Sequence, residues 1–292
     1  MSLIAREIDK IIEPQEVMEG AGVRLRRSIG THTLDHLDPF LLLDNFGSDN
    51  PDDYVAGFPL HPHRGIETVT YMLAGVVNHK DTLGNSGSIG AGDVQWMTAG
   101  GGIMHEEMPQ PRPEGNYGFQ LWVNLPAKLK MSKPRYQDIR ASQIPVVTAG
   151  GGARVRVIAG GAGGVTGPVT GIAADPVYLD VDAPPHSSFT HEIERGHSAF
   201  SYVFEGEGRF GGSDSEAGTR VSATRLAVWG DGDYVKVVTT DSPVRFLLIS
   251  GKPLNEPIAR YGPFVMNTRA EIEGALRDLR EGRFVWSESR KD

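Results

Sequence analysis

The chain contains no cysteine. That excludes disulfides, thiolate nucleophiles, and any zinc or iron–sulfur centre built on thiolate ligands. Long hydrophobic runs are missing too. None approaches the roughly eighteen apolar residues of a membrane-spanning helix. Met1 to Gly20 is charged, is broken by Pro14, and lacks the apolar core of a signal peptide. Basic charge is in deficit, 29 Lys and Arg against 37 Asp and Glu for a net −8, which argues against direct nucleic-acid binding because that affinity rests on Lys and Arg. The expectation is a soluble cytoplasmic protein with no membrane or nucleic-acid partner.

Against these absences stand 37 glycines and 19 prolines in 292 residues, which favour short strands joined by tight turns over long helices. Val23–Arg27 alternates apolar and basic residues, while Glu67–Leu73 and Gly118–Leu125 are rich in β-branched and aromatic residues. Arg154–Ala159, Val177–Val181, Ala199–Phe204, Arg225–Trp229 and Val244–Ile249 continue the pattern in the second half. The halves also echo one another. Glu67 to Gly75 matches Ala199 to Gly206 in order of residue types, and Gly92–Trp96 resembles Trp229–Asp233. This reads as a duplicated β-domain, two small antiparallel barrels or sandwiches in an all-β chain. The proline-rich stretch from Leu125 to Pro134 places the boundary near residue 138, giving domains 1–138 and 139–292. One helix is specified. Thr268 and Glu271 form a capping box, and Ile272, Ala275, Leu276 and Leu279 give an apolar stripe that packs on a barrel.

Two short segments carry the chemistry: His61-Pro62-His63, and some forty residues later His105-Glu106-Glu107. On a strand, residues i and i+2 share a face and lie roughly 6.6 Å apart. Metal–imidazole bonds of about 2.1 Å let two such rings tilt onto one ion. Pro62 stiffens the first pair and, having no N–H, belongs at a ladder edge. Glu106 and Glu107 compete for the carboxylate role; in an extended segment only Glu107 shares the face of His105. Glu67 is a further candidate, either as ligand or as the group that orients an imidazole N–H. His32, His36, His79, His186, His191 and His197 stand singly and read as structural or solvated. Ala99-Gly100-Gly101-Gly102 permits a backbone that passes closely by a ligand, but no lysine and helix follow to make it a phosphate loop.

With these residues in view, His61–Val69, Gly92–Gly100 and His105–Pro109, flanked by Leu37–Asp44 and Gln120–Pro126, closely resemble the pirin family of bicupins. The resemblance implies two cupin (jelly-roll) barrels in tandem with a short C-terminal helix. It implies one mononuclear Fe(II), with Zn, Ni, Mn or Cu as alternative ions, held in the first barrel by His61, His63, His105 and Glu107. Glu67 then falls beside the site, and the second barrel, which has no His-x-His, is metal-free. Some pirin-like proteins show quercetin 2,3-dioxygenase activity. On that reading the partners are a flavonol and O₂, and Glu107 also serves as the catalytic base. The alternative from a different class is an iron- and redox-dependent regulator that binds a transcription factor or a metabolic enzyme. Monomer is the expectation for two barrels that bury one another's faces.

Overall fold

The computed structural model describes residues 3–212 and 218–288. It is built almost wholly of antiparallel strands, with one α-helix among the described residues. The chain forms two compact units: Gln15–Thr31, Phe40–Ala141 and Leu254–Asp292 make one, and Met1–Pro14, His32–Pro39 and Ser142–Pro253 the other. The chain crosses from one unit to the other between residues 141 and 142. The other crossings exchange the ends of the chain and the internal segment His32–Pro39. The N-terminal strand Ile8–Ile12 pairs with Arg225–Trp229, and the C-terminal helix packs in the unit that holds most of the first half.

The duplication is visible in the pairing. Ile66–Ala74 lies between Val94–Thr98 and Asn116–Asn124. Ser198–Phe210 lies in the same way between Arg225–Trp229 and Val244–Gly251. The two strands that echo each other in sequence therefore hold equivalent interior places in the sheets of the two units. The unit containing Ser198–Phe210 fills its interior with apolar side chains, among them Phe189, Phe210, Trp229 and Phe246, each at most 4% exposed. Each such side chain contributes roughly 1.5–3 kcal/mol by leaving water.

In that same unit His191 stacks on Phe189 with ring centres 6.2 Å apart, and burial lowers its pKa from 6.5 to about 4. The unfolded chain thus takes up a proton first, so this contribution to stability is complete above about pH 6.5 and is lost as pH falls toward 4. His191→Gln is expected to flatten the acid side of the stability curve, by up to about 3 kcal/mol between those limits. Urea midpoints at pH 7.5 and pH 4 check it; equal pH dependence in both proteins would contradict it.

The other unit is two-layered. A seven-stranded sheet runs in the order Arg135–Ile139, Val94–Thr98, Ile66–Ala74, Asn116–Asn124, Phe40–Ser48, Val23–Ile29, Gln15–Glu19. A four-stranded sheet runs Phe58–His63, Ile103–Gln110, Val76–Asp81, Ser86–Ile89. Phe58–His63 is an edge strand, which suits a segment containing Pro62. The helix Arg269–Arg280 begins with the capping box expected from sequence: Glu271 N–H donates to Thr268 Oγ1 at 3.3 Å, and Thr268 N–H to Glu271 Oε2 at 2.7 Å. Ile272, Ala275, Leu276 and Leu279 pack against Phe264, Met266 and Phe284. Thr268→Ala is expected to cost about 1 kcal/mol, read as a lowered thermal midpoint. No helix among the described residues is long and apolar enough to cross a membrane.

Candidate metal centre

The Ile103–Gln110 strand alternates strictly, with Ile103, His105, Glu107 and Pro109 buried and the residues between them partly exposed. His105 and Glu107 therefore point into the barrel, and Glu106, paired with Lys80, points out. On the neighbouring edge strand His61 lies directly across from His105 and His63 across from Ile103. Period two and antiparallel register thus bring three imidazoles onto one face. Their ring centres are 4.4 Å (His61–His105), 4.8 Å (His61–His63) and 5.0 Å (His63–His105) apart. One ring nitrogen from each lies within 4.8 Å of the other two. Glu107 Oε2 stands 4.0 Å from His105 Nε2.

Hydrogen bonding bears on the state of each group. His61 Nδ1 lies 3.0 Å from the Pro59 carbonyl, which places the proton on Nδ1 and leaves Nε2 as a lone pair. That Nε2 is 3.0 Å from His63 Nε2. His105 is 1% exposed, and neither of its ring nitrogens has a hydrogen-bond partner. A buried polar group left unpaired costs about 1–3 kcal/mol, so convergent imidazoles in this state fit a cation at their centre. Burial lowers the pKa of His105 to about 3, with the neighbouring His61 and His79 adding to the effect. It also lowers His63 far below its ordinary value, helped by His105 and His61. Both rings are therefore neutral at physiological pH. Burial raises the pKa of Glu107, opposed by His61 and by the Thr70 hydroxyl. An oxygen- and nitrogen-donor set of three imidazoles and one carboxylate suits iron, zinc, nickel, manganese or copper, and lacks the soft thiolates that would select otherwise.

The seven-stranded sheet supplies the rest of the site. Thr70 Oγ1 lies 3.2 Å from Glu107 Oε1 and 2.7 Å from Gln120 Oε1. One hydroxyl proton serves only one acceptor, and turning the Gln120 amide over lets its NH₂ donate to Thr70 while Thr70 donates to Glu107. Trp122 meets the His63 ring edge to face at 5.2 Å, and the Arg260 guanidinium lies 5.0 Å from the Trp122 ring centre. His61, His63 and Glu107 open onto a cavity of about 660 Å³, walled mainly by apolar side chains that include Leu25, Leu42, Phe46, Phe58 and Trp122. Arg27, Asp44 and Glu19 also line it, joined in a closed ion-pair group with contacts of 2.7 to 2.8 Å.

Two sequence expectations need correction. Glu67 does not orient an imidazole. It lies on the opposite face of its strand from Thr70, and its carboxylate accepts the Thr98 hydroxyl at 2.7 Å, in the field of Arg135. Nor does the triple glycine line a ligand. A Cβ on Gly100 would meet the Ser132 carbonyl at 2.1 Å, and one on Gly102 the Phe284 carbonyl at 2.2 Å, so the glycines let other parts of the chain pack close. His79 is more than an isolated structural histidine: it is buried, pairs in register with Glu107 and stacks on Tyr136 at 5.9 Å. Thr70 and Arg260 carried no sequence signal for a site, and Gln120 and Trp122 entered only within the stretch Gln120–Pro126 that resembles the pirin family. A second group, Asp175, Glu194 and His197, also converges, but both carboxylates are exposed and His197 Nε2 already has Glu194 Oε2 at 3.6 Å.

Comparison with known proteins decides the family. The model described as Pirin matches residues 22–123, and that described as Pirin C-terminal cupin domain matches residues 178–285. The chain belongs to the pirin family. A pirin-like protein of Caulobacter vibrioides is 46% identical over 281 residues, covering 96% of this chain and 99% of the relative. Human pirin is 41% identical over 282 residues, covering 96% and 94%. A crystal structure of a quercetin 2,3-dioxygenase from Acinetobacter baumannii superposes with a TM-score of 0.85 at 34% identity, covering 96% of this chain and 99% of that one. The two units are thus the two cupin domains of a pirin. Metal binding is typical of pirins, and a three-histidine cluster of the kind that holds a metal is present in this chain.

Proposed function

We propose that His61, His63, His105 and Glu107 hold one mononuclear iron(II), and that the protein is a dioxygenase cleaving flavonols such as quercetin. The observation that carries this reading is the junction of three convergent imidazoles, of which His105 is buried with neither ring nitrogen hydrogen-bonded, with an apolar cavity of about 660 Å³, a size and lining suited to a planar polycyclic aromatic. The structural likeness to a quercetin 2,3-dioxygenase supports it.

Bound iron(II) supplies a Lewis-acidic, redox-active centre for a flavonol and dioxygen. The chain's own groups do the rest. Trp122, Phe46 and Phe58 line the cavity, keep water from the reacting ring and offer it flat apolar surface. Thr70 bonds Glu107 Oε1 and so fixes the carboxylate that would accept the flavonol 3-hydroxyl proton. Burial raises the proton affinity of that carboxylate above that of a solvated one. The deprotonated flavonol gives up electrons more readily, takes up both atoms of dioxygen, and loses carbon monoxide as its central ring opens.

The test is direct. Protein loaded anaerobically with iron(II), mixed with quercetin and then with air, is expected to bleach the flavonol absorbance faster than the same iron free in solution. Glu107→Gln keeps the shape of the side chain and removes the base; at least a hundredfold fall in kcat is expected. A rate no greater than that of free iron, unchanged in His63→Ala, would overturn the proposal and leave the regulatory reading in its place.

A further inference from the structure

His63 is followed by Arg64, an arginine only 2% exposed. Its Nη1 donates to Asp278 Oδ2 at 2.9 Å and its Nη2 to the Phe284 carbonyl at 3.0 Å, and its guanidinium carbon lies 4.5 Å from the Phe284 ring centre. The Arg64 carbonyl accepts from Val265 N–H at 3.1 Å. Lys130 Nζ then bonds both the Gly65 carbonyl and the Val265 carbonyl at 3.0 Å. On the second ligand-bearing strand Met104, immediately before His105, packs into the cluster of Phe264, Met266, Ile272 and Phe284. The C-terminal segment 264–284 therefore grips a residue adjacent to each of two histidines. Met104 lies across from Pro62 and alternates with His105, so the grip comes from the face opposite the site.

The need for such a grip follows from the topology. Phe58–His63 is the edge of its sheet, with Ile103–Gln110 as its single strand neighbour among the described residues, and Pro62 withholds one ladder donor. Its pairing also slips register between His105 and Glu107. A ligand strand held on one side by an irregular ladder places its imidazoles only as well as its other anchors allow. Those anchors are Arg64 and Gly65.

We infer that Arg64 is a positioning residue for His63, and that docking of segment 264–284 is coupled to metal binding at the histidine cluster. The inference rests on the reading of those residues as metal ligands. If the competent arrangement requires the docked segment, apparent metal affinity scales with the docked fraction, and by reciprocity the metal tightens docking. Anything that captures this segment thereby reaches the metal.

The experiment uses the full chain and zinc(II), with affinity read by competition against a chromogenic chelator well below the unfolding temperature. Phe284→Ala and Asp278→Asn are expected to weaken zinc binding about tenfold, the low end of what outer partners of metal ligands contribute. Both should also alter the visible spectrum of the cobalt(II)-loaded protein, while Arg64→Lys keeps part of the affinity. In the unsubstituted chain zinc should slow hydrogen exchange at Val265 and at Trp286, whose N–H donates to the Gly102 carbonyl at 2.9 Å. Asp278→Asn, nearly isosteric, keeps the test open should Phe284→Ala fail to fold. Variants that melt earlier yet bind zinc like the parent, with the same cobalt spectrum and exchange pattern, would overturn the coupling. If His63→Ala binds zinc as tightly as the parent, the ligand assignment itself falls; if His63→Ala weakens binding while Phe284→Ala and Asp278→Asn do not, only the coupling falls.

Discussion

His105→Ala is expected to abolish metal retention and flavonol turnover while leaving the metal-free protein as stable as its parent, or more so. Most buried-to-alanine changes destabilise, because contacts vanish and a cavity remains. His105 differs in that both ring nitrogens are buried without a hydrogen-bond partner, and burial already holds the ring neutral down to about pH 3. Removing it relieves an unpaired polar group as well as opening space, so the two costs oppose each other. Metal affinity has no such compensation. A ligand that touches the ion is worth more than the roughly 10–100-fold of an outer partner. Metal content after desalting, set beside the urea midpoint of the stripped protein, separates these effects. Full metal retention would sink the assignment of His105, and a large loss of stability in the stripped protein would sink the claim that this ring is kept for binding.

Gly65→Ala carries the largest expected effect on stability. Gly65 has φ +79°, and a Cβ there would lie 1.9 Å from the Val265 carbonyl oxygen. The left-handed backbone alone costs a side chain about 1–2 kcal/mol. The remainder comes from pushing the Phe264–Met266 strand away and losing the bonds from Val265 N–H to the Arg64 carbonyl and from Lys130 to Val265. The total is roughly 3 kcal/mol or more. Gly84 is the control, since its φ is +92° but nothing lies within 4 Å of its Cβ position. Gly84→Ala should therefore cost only the conformational part. Urea unfolding of the two variants checks the contrast; equal losses would mean that contact with the C-terminal strand adds nothing.

The sequence was most legible where a local period decides geometry. Period two on a strand put His61 beside His63 and separated Glu107 from Glu106, and the structure places them on those faces because the Ile103–Gln110 strand alternates without a break. The capping box at Thr268 was equally local. Glu67 misled because its distance in sequence from His63 is short while its face is set by sheet pairing, which turns it toward Thr98. The triple glycine misled for a related reason, since the neighbours that need its missing Cβ atoms come from Ser132 and Phe284. Thr70, Gln120, Trp122 and Arg260 reach the site from other strands, so only the fold brings them there. The exchange of terminal segments between units left no compositional mark at all.

The central claim is that one metal sits among His61, His63, His105 and Glu107, and an anomalous-scattering difference map from crystals of the iron(II)-loaded protein, collected at the iron edge, tests it most directly. One strong peak per chain enclosed by those four side chains is the predicted result. A peak at Asp175, Glu194 and His197 instead, or none within reach of the three imidazoles, would contradict it.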